Sequence, residues 1–234
     1  MTSQYTDKDG KQYTYHDEFK DESKDLFIIS SDNMAFRVDS DLLKTNSSVF
    51  RSMFSTCDTD DRSLHLDHSN QAIAISFKTL CHLPLGLDRT EWEQFIEGVE
   101  LCIQYEMPRV GSKILSRFNL YSDIFANYGY SLFLLSAKLN DVATACRIIP
   151  KIGPMSYASN RNENRFWCRS GWARSVALDL PPIWYWAYTS AHSKATANAA
   201  DGVYWQVVAI TFMVLVLDVS PIIQLLGRLI AYSD

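Results

Sequence analysis

The stretch Asp25-Leu26-Phe27-Ile28-Ile29-Ser30-Ser31-Asp32-Asn33-Met34-Ala35-Phe36-Arg37-Val38 decides how this chain is read. Leu26 to Ile29 is a short apolar run of the kind a buried strand carries. Ser31-Asp32-Asn33 follows as a turn, because Asn tolerates a left-handed backbone. Ala35 to Val38 then alternates apolar and polar, as a half-buried strand does. Two strands about a tight turn predict a hairpin.

Downstream, the spacing becomes helical. Leu42 and Leu43 open one helix, and Ser47 is placed to cap a second that carries Val49, Phe50, Met53 and Phe54 on one stripe. Leu64-His65-Leu66 reads as a strand. Ile73, Phe77 and Leu80 repeat at helical spacing behind Ser69 or Asn70 as the cap. Trp92 to Tyr105 is strongly amphipathic, and Pro108 restarts a helix at its first turn. Ser122 caps a run through Leu135, Asn140 can end it, and Asp141 can cap the next helix toward Ile149. Pro150 and Gly153-Pro154 are expected to break the chain, and Pro181-Pro182 to open a helix at Ile183.

Upstream, residues 1 to 23 are polar and charged with almost no aliphatics, so they are expected to be a flexible arm. No apolar h-region is seen there, so a secretory signal is not expected. The 234 residues hold 22 Lys and Arg against 27 Asp and Glu, a net charge of −5, which argues against binding nucleic-acid backbones. With 47% hydrophobic and 13% aromatic residues the composition is that of a globular protein. The five cysteines (Cys57, Cys81, Cys102, Cys146 and Cys168) are widely spaced and form no CxxC pair, which reads as free thiols in a cytoplasmic or nuclear setting.

The order hairpin, two helices, strand, helix, helical pair resembles the BTB/POZ domain. Asp25 to Asp32 is similar to that family's opening strand, and Phe36-x-Val38-x-x-x-Leu42-Leu43 to its join into the first helix. Ser47-Ser48-Val49-Phe50-x-x-Met53-Phe54, Leu64-x-Leu66-Asp67 and Val99-x-Leu101-Cys102-Ile103-x-Tyr105-Glu106-Met107-x-x-Val110 are similar to its next three segments. The likeness is strongest to fungal BTB-domain proteins, which continue into helices and a Trp-rich segment. Cys168, Trp172, Trp184, Trp186 and Tyr188 are similar to that segment. The resemblance implies an α+β fold, a BTB/POZ-like domain over residues 24–119 with a short sheet flanked by helices. An all-helical extension follows: a helical pair over 120–153, then a Trp-rich region with apolar C-terminal helices over 154–234.

The resemblance also implies a noncatalytic interaction module without a cofactor, whose partners are other proteins, including a copy of itself. Leu42, Leu43, Val49, Phe50, Met53 and Phe54 are the expected core and self-association residues. Asp25 is the candidate for a charged pocket. In the family a His and a Lys or Arg often stand beside it, at the positions held here by Asp39 and Ser40. An alternative is a substrate adaptor for a cullin-type ubiquitin ligase. Such adaptors often carry a hydrophobic-x-Glu signal near the third helix, and residues 70–83 contain no Glu.

Other chemistry is thin. His65, Asp67 and His68 are too few ligands to close a metal site, and the simpler reading is a strand leading to a helix cap. Cys81-His82 reads as a core cysteine at a helix end, without the electropositive setting a thiolate needs. Glu91 and Glu93 favour a helix start and do not face each other. Arg161, Arg165 and Arg169 would share one face if helical, and read more simply as solvated. Trp184-Tyr185-Trp186-Tyr188 reads as helix packing. Val203 to Leu217 is mostly apolar, yet shorter than the roughly 20 residues a membrane span wants. It reads either as a strained tail anchor reaching Ile230, or as a buried helix followed by an amphipathic one that starts at Asp218 or Ser220 with Pro221 in its first turn, at a dimer contact.

Overall fold

The computed structural model describes residues 4–56, 63–85, 92–117, 125–158, 178–195 and 201–231, with 125–127, 152–158, 201–202 and 219–231 described by backbone alone. The protein is α+β, and it divides into two compact units, Met1–Arg117 and Phe118–Asp234.

The first unit holds a five-stranded mixed sheet. Its strands are β1 (Gln4–Thr6), β2 (Gln12–Tyr15), β3 (Leu26–Ile29), β4 (Met34–Val38) and β5 (Ser63–His65), in the order β1-β2-β4-β3-β5. The expected hairpin is β3–β4, with Asn33 in the left-handed region at φ 64°. Leu26 lies opposite Val38 and Ile28 opposite Phe36, so these four side chains share one face. All four are buried, and Phe36 meets Phe77 edge-on at 6.0 Å. The helices are α1 (Ser40–Asn46), α2 (Ser48–Thr56), α3 (Asn70–Leu80), α4 (Trp92–Gln104) and α5 (Pro108–Ser116). Ser69 caps α3 by accepting the Ala72 N–H, and Pro108 opens α5. The α3–α4 contact is close: the Ser76 hydroxyl lies 3.0 Å from both the Ala72 and Gly98 carbonyl oxygens.

The flexible arm expected over residues 1 to 23 is corrected by the structure. β1 and β2 pair antiparallel, and β2 pairs parallel with β4. Aromatic burial does the work that aliphatics were expected to do. Tyr13 and Phe19 are buried, and Phe19 packs 5.5 Å from Phe36 and 6.1 Å from Phe77. The register puts Tyr5, Tyr13 and Tyr15 on the same sheet face as Phe27, Ile29, Ala35 and Arg37. Strands about 4.8 Å apart would hold Tyr5 three spacings from Phe27. Their rings nonetheless stack at 4.1 Å, so the hairpin curls back over this face.

The second unit is helical where it is described: α6 (Phe125–Lys138), α7 (Val142–Ala158), α8 (Pro182–Lys194) and α9 (Asp201–Ala231). Asn140 ends α6 with φ 53°, and Asp141 caps α7 by accepting the Thr144 N–H at 3.0 Å. Phe133, Trp184 and Phe212 meet within 5.2–5.7 Å in one core with Tyr188. Residues 120–153 and 154–234, read from sequence as separate stretches, therefore belong to one unit. Three expected breaks are absent. α7 runs through Pro150 and through Gly153-Pro154, and α9 runs through Pro221 instead of dividing at Asp218 or Ser220. A proline's fixed φ is helical, so it removes one hydrogen bond and crowds the preceding turn without ending the helix.

Candidate functional site

The site is the corner where α1 meets α2. Two carboxylates build the start of α1. Asp39 accepts the Asp41 and Leu42 N–H groups at 3.0 and 3.2 Å. Asp25 accepts the Ser40 N–H at 2.9 Å and the Ser40 hydroxyl at 2.7 Å. Acids at a helix N-terminus satisfy its spare donors and its dipole. The expected charged pocket at Asp25 is thus occupied from within: Ser40 stands where the resemblance called for a cation, and the carboxylate is turned to capping. Lys24 approaches Asp39 at 3.5 Å on the outside.

Ser47 makes the corner. Its N–H closes α1 on the Leu43 carbonyl at 2.9 Å, and its hydroxyl oxygen accepts the Phe50 N–H at 3.0 Å to cap α2. The same hydroxyl donates to the Tyr105 carbonyl at the end of α4. Ser48 donates to the Glu106 carboxylate beside it. The Phe50 ring lies flat on Tyr105, 4.7 Å between centroids and 3° between planes. The corner is therefore fastened to the α4–α5 joint by backbone, hydroxyl and ring.

That fastening sorts the six expected residues. Leu43 and Phe50 are fully buried core. Leu42, Val49, Met53 and Phe54 are half-buried, each keeping part of its surface accessible. Phe54 stacks 6.1 Å from Phe50, with the Lys44 ammonium 5.9 Å over its ring. Lys44 also pairs with Asp41 at 2.9 Å, so charged groups edge the apolar patch.

The remaining candidates resolve differently. His68 lies 3.0 Å from the Gln104 side-chain oxygen and 3.6 Å from Glu97, whose carboxylate also receives the Ser69 N–H and hydroxyl. These groups cap α3 and tie it to α4. Among the described residues no three His, Cys, Asp or Glu side chains gather for a metal ion. Cys81, expected in the core, is exposed at the C-cap of α3, one residue past the buried Leu80. Burial pushes the Cys102 thiol up to about 12 and Cys146 to about 11, so both keep their protons at neutral pH. Trp184 and Tyr188 are buried in the helical unit, whereas Trp186 is exposed. Cys57, Glu91, Ser122, Cys168, Trp172 and the arginines at 161, 165 and 169 lie outside the described residues. Among the described residues no helix is long and apolar enough to cross a membrane.

The aromatic face of the sheet was not among the expected features. Arg37 places its guanidinium 4.9 Å over Phe27 there, and its Nε donates to the Lys24 carbonyl at 2.9 Å. The signal was present in Tyr5 and in the alternating Gln12-Tyr13-Thr14-Tyr15, joined through an Asp9-Gly10 turn whose glycine has φ 81°. No family model matches this chain, and no curated protein matches it.

Proposed function

We propose that this protein is a noncatalytic protein–protein interaction module of BTB/POZ type, and that it associates with a copy of itself through the outer side of α1 and α2. The observation that carries the reading is the patch of Leu42, Val49, Met53 and Phe54, left half-open while Leu43 and Phe50 complete the core. The order β3, β4, α1, α2, β5, α3, α4, α5 supports it, since this is the order the resemblance calls for. A two-fold axis across the patch sets equivalent residues against each other, and a few buried anchors then carry most of the affinity. The corner is held rigidly by Ser47 and Tyr105, so little ordering is needed on association.

The test is the mass of the full chain in solution, by light scattering after size exclusion, for the native protein and for Val49→Glu with Met53→Glu. Native protein above monomer mass, with the variant at a lower mass and an unchanged far-UV spectrum, supports the reading. A native monomer at tens of micromolar, or a variant of native mass, ends it.

A further inference from the structure

Five of the exposed large hydrophobic residues lie on α9: Val203 (53% exposed), Val207 (40%), Ile210 (59%), Val214 (45%) and Leu217 (53%). Their spacing is four, three, four, three. That is the seam of a coiled coil, in which apolar residues alternate at these intervals along one edge of the helix. The opposite side of α9 is already used: Trp205, Val208, Ala209, Phe212 and Val216 are buried in the helical unit. A helix apolar on both sides is one whose second side is also covered.

We propose that this seam pairs with the same seam of a second copy of the chain, α9 against α9 across a two-fold axis. This contact is separate from the α1–α2 patch and does not depend on it. Three observations select a second copy. The strict four-three register is what a facing helix needs, and neither a bilayer nor a loop requires it. The positions flanking the seam are Tyr204, Gln206, Thr211 and Met213, with Asp218 at one end. Coiled coils select a different partner through charges at such positions, and here only Asp218 carries one. A membrane surface would call for Lys and Arg beside the apolar edge, whereas the charged residues from 201 to 218 are Asp201 and Asp218. The seam is short, about 21 Å from Val203 to Leu217 at 1.5 Å per residue. A helix of that length forms poorly by itself. α9 is already fixed by its buried side, so pairing has no helix to order.

Two self-pairing surfaces with separate two-fold axes link copies into tetramers or longer assemblies. The experiment is sedimentation velocity on the full chain: native, Val207→Glu with Val214→Glu, Val49→Glu with Met53→Glu, and all four together. Both altered α9 residues are exposed, so the core is untouched. The seam variant should have about half the native mass or less, and the combined variant should be monomeric. Ile210→Cys should form an interchain disulfide under mild oxidation that the native thiols do not form. This second readout holds even if the glutamates disturb the helix. A seam variant of native mass, together with Ile210→Cys that does not crosslink, overturns the pairing. Flotation with phosphatidylcholine–phosphatidylglycerol vesicles that the seam variant abolishes, with no change of mass in solution, also overturns it and assigns the seam to a bilayer. If only the α1–α2 variant loses mass and Ile210→Cys does not crosslink, the proposed function stands and the seam pairing falls. If only the seam variant does, the reverse holds.

Discussion

At the scale of the residue, one hydroxyl carries more than its size suggests. Ser47 closes α1, caps α2 and bonds to the last turn of α4. It is 1% exposed, so water does not replace what its removal takes away. Ser47→Ala loses a cap worth about 1 kcal/mol and leaves a buried carbonyl short of a partner, which costs a further 1–2 kcal/mol. The sum, roughly 2–3 kcal/mol, should appear in urea unfolding as a lower midpoint. Ser48 beside it also bonds to a carboxylate, yet is exposed. Water substitutes there, and Ser48→Ala should change stability by less than about 0.5 kcal/mol. Equal losses for the two serines would show that the corner does not rest on Ser47.

At the scale of the element, local signals were legible where the chain's own chemistry sets a boundary. Asn33 and Asn140 take left-handed backbones, Ser47, Ser69 and Asp141 cap helices, and Pro108 opens one, all as their residue types demand. Illegible features depend on tertiary packing. Nothing in the stripe of α2 says that Phe50 turns inward while Val49 and Met53 stay half-open; Tyr105, 55 residues away from Phe50, decides that. The same holds for α9, where an apolar run resembling an anchor divides into a buried side and an open seam only once α7 and α8 are in place. The N-terminal hairpin was lost for another reason: its stabilising side chains are tyrosines and a phenylalanine, not aliphatics. Phe19 is the test. It is 4% exposed against Phe36 and Phe77, and Lys78 of α3 pairs with the neighbouring Glu18. Phe19→Ala should destabilise the first unit by about 3–5 kcal/mol, as buried Phe truncations do, measured by calorimetry or urea. A flexible arm would register nothing.

At the scale of the whole molecule, two units with separate cores should unfold as two events, and the tryptophans make this visible. Of six tryptophans only Trp92 precedes residue 118, so fluorescence follows mainly the helical unit. Acid should separate the events further. His192 is half-buried near Tyr188 and Trp205, with Nε2 3.0 Å from the Tyr204 hydroxyl. Desolvation lowers its pKa to about 4, against 6.5 for a free imidazole. As pH falls, the unfolded chain therefore takes up this proton first. The stability contributed by the neutral ring is complete above pH 6.5 and is lost progressively down to about pH 4. His16 in the first unit is lowered in the same direction, chiefly by its own burial, so such a group is found in each unit. The two are separable by substitution. Fluorescence-detected urea unfolding should shift to lower midpoint between pH 7 and pH 5, and His192→Gln should remove part of that shift while leaving the first unit's far-UV transition where it was. Coincident fluorescence and far-UV transitions at both pH values would mean that the chain unfolds as one cooperative body, and an unchanged acid shift in His192→Gln would place its origin on another group.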